Sequence, residues 1–105
     1  MELSDFQAAA NKTAVYPKMS DEGLYYVTMG LVGEAGEVAN KVKKLIRDGQ
    51  LDYDNAAAEL GDVLWYVAMV AYELGYDLNE IGKANVKKLH SRLERGVVHG
   101  EGDNR

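Results

Sequence analysis

The chain has 105 residues, 47% hydrophobic and 28% charged, with 17 acidic against 12 basic residues, a net charge of −5 and no cysteine. That length suits a single domain over residues 1–105, and the acidic balance disfavours a broad nucleic-acid or anionic-lipid surface while leaving cation-bridged phosphate chemistry open. The lack of cysteine excludes a disulfide scaffold, thiolate metal sites and cysteine nucleophiles.

Met1-Glu2-Leu3-Ser4-Asp5 has neither the basic nor the apolar region of a secretion signal. No apolar run reaches the ~18 residues of a membrane span. The expectation is a cytoplasmic protein without nucleic-acid or membrane partners. Ser4 with Gln7 three residues on is a capping-box pattern opening a short helix to about Lys12, and Tyr16-Pro17 closes that N-terminal unit over residues 1–19. Ser20 can cap a second helix, in which Leu24, Val27, Leu31, Ala35, Val38, Val42 and Leu45 recur at helical spacing until Asp48-Gly49. Gly23, Gly30, Gly33 and Gly36 make a break in it plausible.

Asp52 or Asp54 can cap a third helix that ends at Leu74-Gly75. Asp77 and Glu80 form a second capping-box pattern, opening a fourth helix to about Arg95-Gly96. Residues 96–105, ending Gly102-Asp103-Asn104-Arg105, read as a loop. With no alternating strand pattern, the expected fold is all-α, a four-helix bundle-like arrangement with a short N-terminal helix.

On the second helix Glu34 and Glu37 are an i, i+3 pair at the edge of the apolar stripe. The third helix is apolar around most of its circumference through Leu60–Ala71, which predicts burial on nearly all sides. Its polar residues Glu59, Asp62, Tyr66 and Glu73 fall on one narrow stripe. Glu59 and Asp62 repeat the i, i+3 spacing. Like charges one turn apart repel, and burying them uncompensated is costly, so a hard divalent cation is the economical explanation of two such pairs. Salt bridges to Lys41, Lys43, Lys44 or Arg47 are the structural alternative. Glu73 lies ~16 Å along the axis from Asp62 and is expected at the surface, as are His90 and His99.

Leu78, Ile81, Leu89 and Leu93 form the inward stripe expected of the fourth helix, with Asn85 in its middle. Lys88 and Arg92 follow Asn85 at i+3 and i+7 along one edge. That row of donors suits phosphate oxygens; its plainer alternative is a snorkelling helix flank. One helix apolar nearly all round and another about 40 Å long present more apolar surface than two short helices can cover, which predicts an oligomer, at least a dimer.

Gly30-Leu31-Val32-Gly33-Glu34-Ala35-Gly36-Glu37-Val38, followed by Glu59-Leu60-Gly61-Asp62-Val63-Leu64-Trp65-Tyr66, resembles the MazG-like family of all-α nucleoside triphosphate pyrophosphohydrolases. Asn85-Val86-Lys87-Lys88-Leu89-His90-Ser91-Arg92 is similar to that family's downstream N-x-x-K-L-x-x-R segment. The resemblance runs from about Leu24 to Arg92 and extends to the Gly-Asp-Asn-Arg tail. Many members carry a doubled Glu where this chain has Gly33-Glu34, so one carboxylate of that pattern is missing. Phosphoribosyl-ATP pyrophosphohydrolases share the carboxylate logic and are the alternative within enzymes; a non-catalytic nucleotide sensor or helical assembly module is the alternative outside them.

The resemblance implies hydrolysis of a (deoxy)nucleoside triphosphate between its α- and β-phosphates, giving monophosphate and pyrophosphate. Glu34, Glu37, Glu59 and Asp62 would hold Mg²⁺, with Mn²⁺ a possible substitute, and Glu34 or Glu37 would take the proton from the attacking water. Asn85, Lys88 and Arg92 would grip the triphosphate. Homodimers or homotetramers are implied, with the site near a subunit interface.

Overall fold

A computed structural model describes residues 1–105 and holds four helices and no strand: α1 (Leu3–Lys12), α2 (Asp21–Asp48), α3 (Tyr53–Glu73) and α4 (Leu78–Glu94). The expected all-α architecture is present. No helix is long and apolar enough to cross a membrane.

The termini follow the capping chemistry in part. Ser20 Oγ accepts from the Gly23 amide at 2.9 Å, and Gly49, in the left-handed region at φ 74°, ends α2. Between them the helix is continuous, without the break its glycines allowed. Gly30 has a packing reason: a Cβ there would collide with the ring of Tyr66 on α3. Of the two candidates, Asp52 caps α3, accepting from the Asn55 amide at 3.1 Å. Asp77 caps α4, but Glu80 turns to Lys83 at 3.9 Å and does not close the box.

The first capping box is a correction. α1 begins at Leu3, with Asp5 accepting from the Glu2 amide at 2.8 Å. Ser4 and Gln7 work at longer range. Ser4 Oγ donates to Asp77 at 2.7 Å, while Gln7 donates to the Ala68 and Tyr76 carbonyls and accepts from the Leu78 amide at 3.0 Å. Gln7 thereby satisfies backbone groups of α3 and of the α3–α4 turn while Ser4 holds the Asp77 side chain, demands invisible in local sequence.

Glu73 is likewise not a free surface residue. It is half-buried and accepts from the Tyr16 hydroxyl (3.1 Å) and the Met19 amide (2.9 Å), tying the segment before α2 to the end of α3. Burial first, and then the Glu73 carboxylate, push the Tyr16 phenol upward, so it stays a neutral donor. The same contact holds Met19 at φ 56°, a conformation non-glycine residues rarely adopt.

α2 and α3 form a helical hairpin, with α1 laid on α3. The core is small: Ala10, Ala14, Tyr16, Val27, Ala68, Met69, Ala71 and Leu78. α4 departs from the expected bundle, packing on α1 and α3 and leaving α2 untouched. The radius of gyration is 16.3 Å, against about 13 Å for a compact chain of this length. The expected burial of α3 holds at Ala68, Met69 and Ala71 and fails at Leu60, which is 56% exposed. On α4 only Leu78 of the predicted inward stripe is buried, and Leu93 is 69% exposed.

Candidate functional site

The packing of α2 against α3 brings Glu34, Glu59 and Asp62 together, each offering a carboxylate oxygen within 4.8 Å of the others. The i, i+3 spacing puts Glu59 and Asp62 on the α3 face that meets Glu34 across the hairpin. Glu37, one turn beyond Glu34, is exposed and stands outside this tight group.

No lysine or arginine pairs with these acids. The four ion pairs of the chain are Arg47–Asp48, Lys83–Glu80, Lys88–Asp103 and Arg92–Asp103, so the salt-bridge alternative is not taken up. The strain shows on Glu34, whose carboxyl is pushed above the ordinary glutamate range. Partial burial is the largest cause, followed by its hydrogen bond with Glu59 and the charges of Asp62, Glu59 and Glu37. A proton relieves part of the repulsion. A divalent cation relieves more, and three hard carboxylate oxygens with one face left open are a fitting donor set for one.

A cleft of about 310 Å³ opens beside the acids, lined by Glu34, Asp62, Thr13, Trp65 and Tyr66. Trp65 donates from Nε1 to Thr13 Oγ at 2.8 Å and meets Tyr66 edge-on, ring centroids 4.9 Å apart. Burial first, then Tyr26 and Glu34, push the Tyr66 phenol up, so it remains a neutral donor on the acidic side of the cleft. Thr13 escaped the sequence reading. It lies just past the end of α1, and only the docking of α1 on α3 carries it here.

Asn85, Lys88 and Arg92 share α4, apart from α2 and its acids. Asn85 and Lys88 line an open groove of about 500 Å³ with Tyr76 and Ile81. Arg92 is only 5% exposed, and its guanidinium is engaged by the tail: it donates to the Asp103 carbonyl at 2.9 Å and the Asp103 carboxylate at 3.3 Å. Lys88 shares that carboxylate at 3.3 Å. His90 and His99 are exposed, as expected.

The family model of the MazG nucleotide pyrophosphohydrolase domain matches residues 25–97, which contain the acidic pairs and the α4 row. Over 114 aligned positions spanning the whole of both proteins, the chain is 53% identical to the Gene 37 protein of Mycobacterium phage L5. No solved structure matches.

Proposed function

Because the chain belongs to the MazG nucleotide pyrophosphohydrolase domain family, we propose that it hydrolyses a (deoxy)nucleoside triphosphate between the α- and β-phosphates, working as one domain over residues 1–105. The observation that carries this reading is the meeting of Glu34, Glu59 and Asp62 within 4.8 Å with no cationic side chain among them. Stability alone gives no reason to build such a group.

Glu34, Glu59 and Asp62, with Glu37 at the margin, would hold Mg²⁺ or its substitute Mn²⁺. When bound, the ion supplies charge neutralisation at the phosphate oxygens and a lower pKa for a water molecule. The remaining work falls to side chains. Glu37, one turn from the cluster and not committed to it, accepts the proton of the attacking water, a role Glu34 shares while its carboxylate is free. The oxygen of that water bonds to the α-phosphorus as the bond to the bridging oxygen breaks, and that oxygen leaves with the pyrophosphate. Asn85 and Lys88 donate to the β- and γ-phosphates, offsetting the charge that builds on the leaving group, while Arg92 anchors that end of the grip from its buried position.

In one protomer α4 packs on α3 but not on α2, which carries Glu34, so we take the donor row to complete the site through a second copy, with a homodimer or homotetramer as the working unit. Two exposed apolar stripes support this: Tyr25, Met29 and Val32 on α2 at i, i+4, i+7, and Tyr53, Leu60 and Leu64 on α3 at i, i+7, i+11. Burying such faces is what closed symmetry commonly achieves.

The test is pyrophosphate release from a panel of nucleoside triphosphates with and without Mg²⁺, with mass by light scattering on the same sample. Metal-dependent release by a dimer or tetramer is expected. Release from no nucleotide in the panel refutes the activity; an active species of monomer mass refutes the shared site.

A further inference from the structure

Five of the chain's 12 basic residues, Lys87, Lys88, Arg92, Arg95 and Arg105, line one cleft of about 340 Å³ between α4 and the C-terminal tail, in a protein of net charge −5. The one acidic side chain in its wall is Asp103. We propose that this cleft binds a polyphosphate anion and that the tail is its displaceable wall, with Asp103 standing where a phosphate oxygen binds.

The tail is tied together by its own hydrogen bonds. Arg105 donates to the carbonyls of Val97, Val98 and Gly102, closing residues 97–105 into a small loop. It leaves α4 at Gly96 and turns again at Gly102, both at positive φ (70° and 79°), which glycine adopts without strain. Its hydrogen bonds to the helix are those of Arg92 to the Asp103 and Gly102 carbonyls, at 2.9 and 3.5 Å, and those of Arg92 and Lys88 to one Asp103 carboxylate oxygen, at 3.3 Å each, so the carboxylate is the only charge that holds it. Those two cations hold the Asp103 carboxyl below the ordinary aspartate range, Arg92 contributing most.

Two features make this contact a placeholder rather than a staple. The Asp103 side chain is 84% exposed, and ion pairs so wetted add little stability. Arg92, by contrast, is 5% exposed and its Nε has no hydrogen-bond partner. A guanidinium buried with an idle donor is costly, and a single-charged carboxylate does not satisfy it. A phosphate chain presents several oxygens and more charge, so it can take over both cations while Arg95 and Lys87 neutralise its far end. The tail then swings out or rides on the bound anion.

The assignment rests on the nucleotide reading only for the anion's source, which is either the substrate's triphosphate or the pyrophosphate product. Its test therefore uses metal-free full-length protein and inorganic tripolyphosphate, followed by calorimetry and by the amide signals of Gly102, Asp103 and Asn104. Wild type should bind, with those amides shifting on titration. Asp103→Asn, freed of the competing charge, should bind up to about fivefold tighter. Lys88→Gln should bind at least about fivefold weaker. Equal or weaker binding by Asp103→Asn, static tail amides, or no binding by wild type overturns the proposal. Inorganic pyrophosphate run in parallel names the source: preference for tripolyphosphate assigns the cleft to substrate, the reverse order to product, and either supports it. Failure of nucleotide hydrolysis with tripolyphosphate binding intact would overturn the hydrolase reading alone.

Discussion

The α2–α3 hairpin and the α4–tail unit handle charge in opposite ways. The hairpin presses Glu34, Glu59 and Asp62 together and leaves them without counter-ions, so that a carboxyl must keep its proton more tightly than usual. The α4 unit gathers cations and supplies its own carboxylate, Asp103, which is held in the ionised form. The acidic cluster of the hairpin lacks a cationic partner; the α4 cleft carries a weakly held anion. The substrate proposed above, made of phosphates and accompanied by a divalent ion, would satisfy both at once.

The sharpest way to break the contrast is to remove a charge from the hairpin. Glu59→Gln and Asp62→Asn should each lower turnover by about 100-fold or more, since each deletes a ligand oxygen that no neighbour replaces. The metal-free melting temperature should stay level or rise by roughly 1–4 °C, because like-charge repulsion is relieved. A variant that loses activity and unfolds would instead make these acids structural.

Next in size is the response to the ion itself. Mg²⁺ at about 100 times its dissociation constant should raise the melting temperature of wild type by roughly 10 °C, by mass action on the folded state. Glu59→Gln should lose most of that shift while Asp103→Asn keeps it. Equal shifts in all three proteins would mean that the ion binds elsewhere. A smaller effect is expected on the basic side: Lys88→Gln should raise KM about tenfold, the loss of one charge-assisted hydrogen bond, at an unchanged Mg²⁺ midpoint. A changed midpoint with unchanged KM would move Lys88 from the phosphates to the metal.

What could be read from sequence divides along the same line. Helix identity, the Ser20, Asp52 and Asp77 caps and the pairing of the acids follow from spacing of a few residues, and α2–α3 packing turned that spacing into a cluster. Glu73 and Ser4 were misread because their partners, Tyr16, Met19 and Asp77, come from other segments of the chain. Tertiary contacts give Glu73 a hydroxyl and a backbone amide to accept from and give the Ser4 hydroxyl a carboxylate to donate to, and spacing within one segment shows neither. Arg92 is legible as a cation in line with Asn85 and Lys88 on α4, but its burial under the tail depends on a loop whose path no periodicity encodes. The open placement of α4 was hidden for another reason. An apolar stripe specifies that a face is to be covered, not whether the cover lies in the same chain.

The smallest effect tests the joint between the two regions. Asp77 caps α4, accepting from the Asn79 amide at 2.8 Å, and takes the Ser4 hydroxyl of α1 at 2.7 Å. These contacts, the Ser4 hydrogen bond foremost, hold its carboxyl below the ordinary aspartate value of 3.8. A carboxyl whose folded value lies below its unfolded one stabilises the fold at pH above the unfolded value and loses that contribution as pH falls through the folded one. Asp77→Asn keeps an N-cap of nearly equal quality and removes only the charge. The substitution should therefore lower the melting temperature by roughly 1–3 °C at pH 7, and the gap should close as pH falls through the folded value of the wild-type carboxyl, where wild type is also protonated. Melts of both proteins across that range at one fixed concentration measure it. A gap that persists undiminished in acid would show that the Asn side chain disturbs the α1–α4 joint by shape, and that the Asp77 charge contributes nothing to holding α4 where it stands.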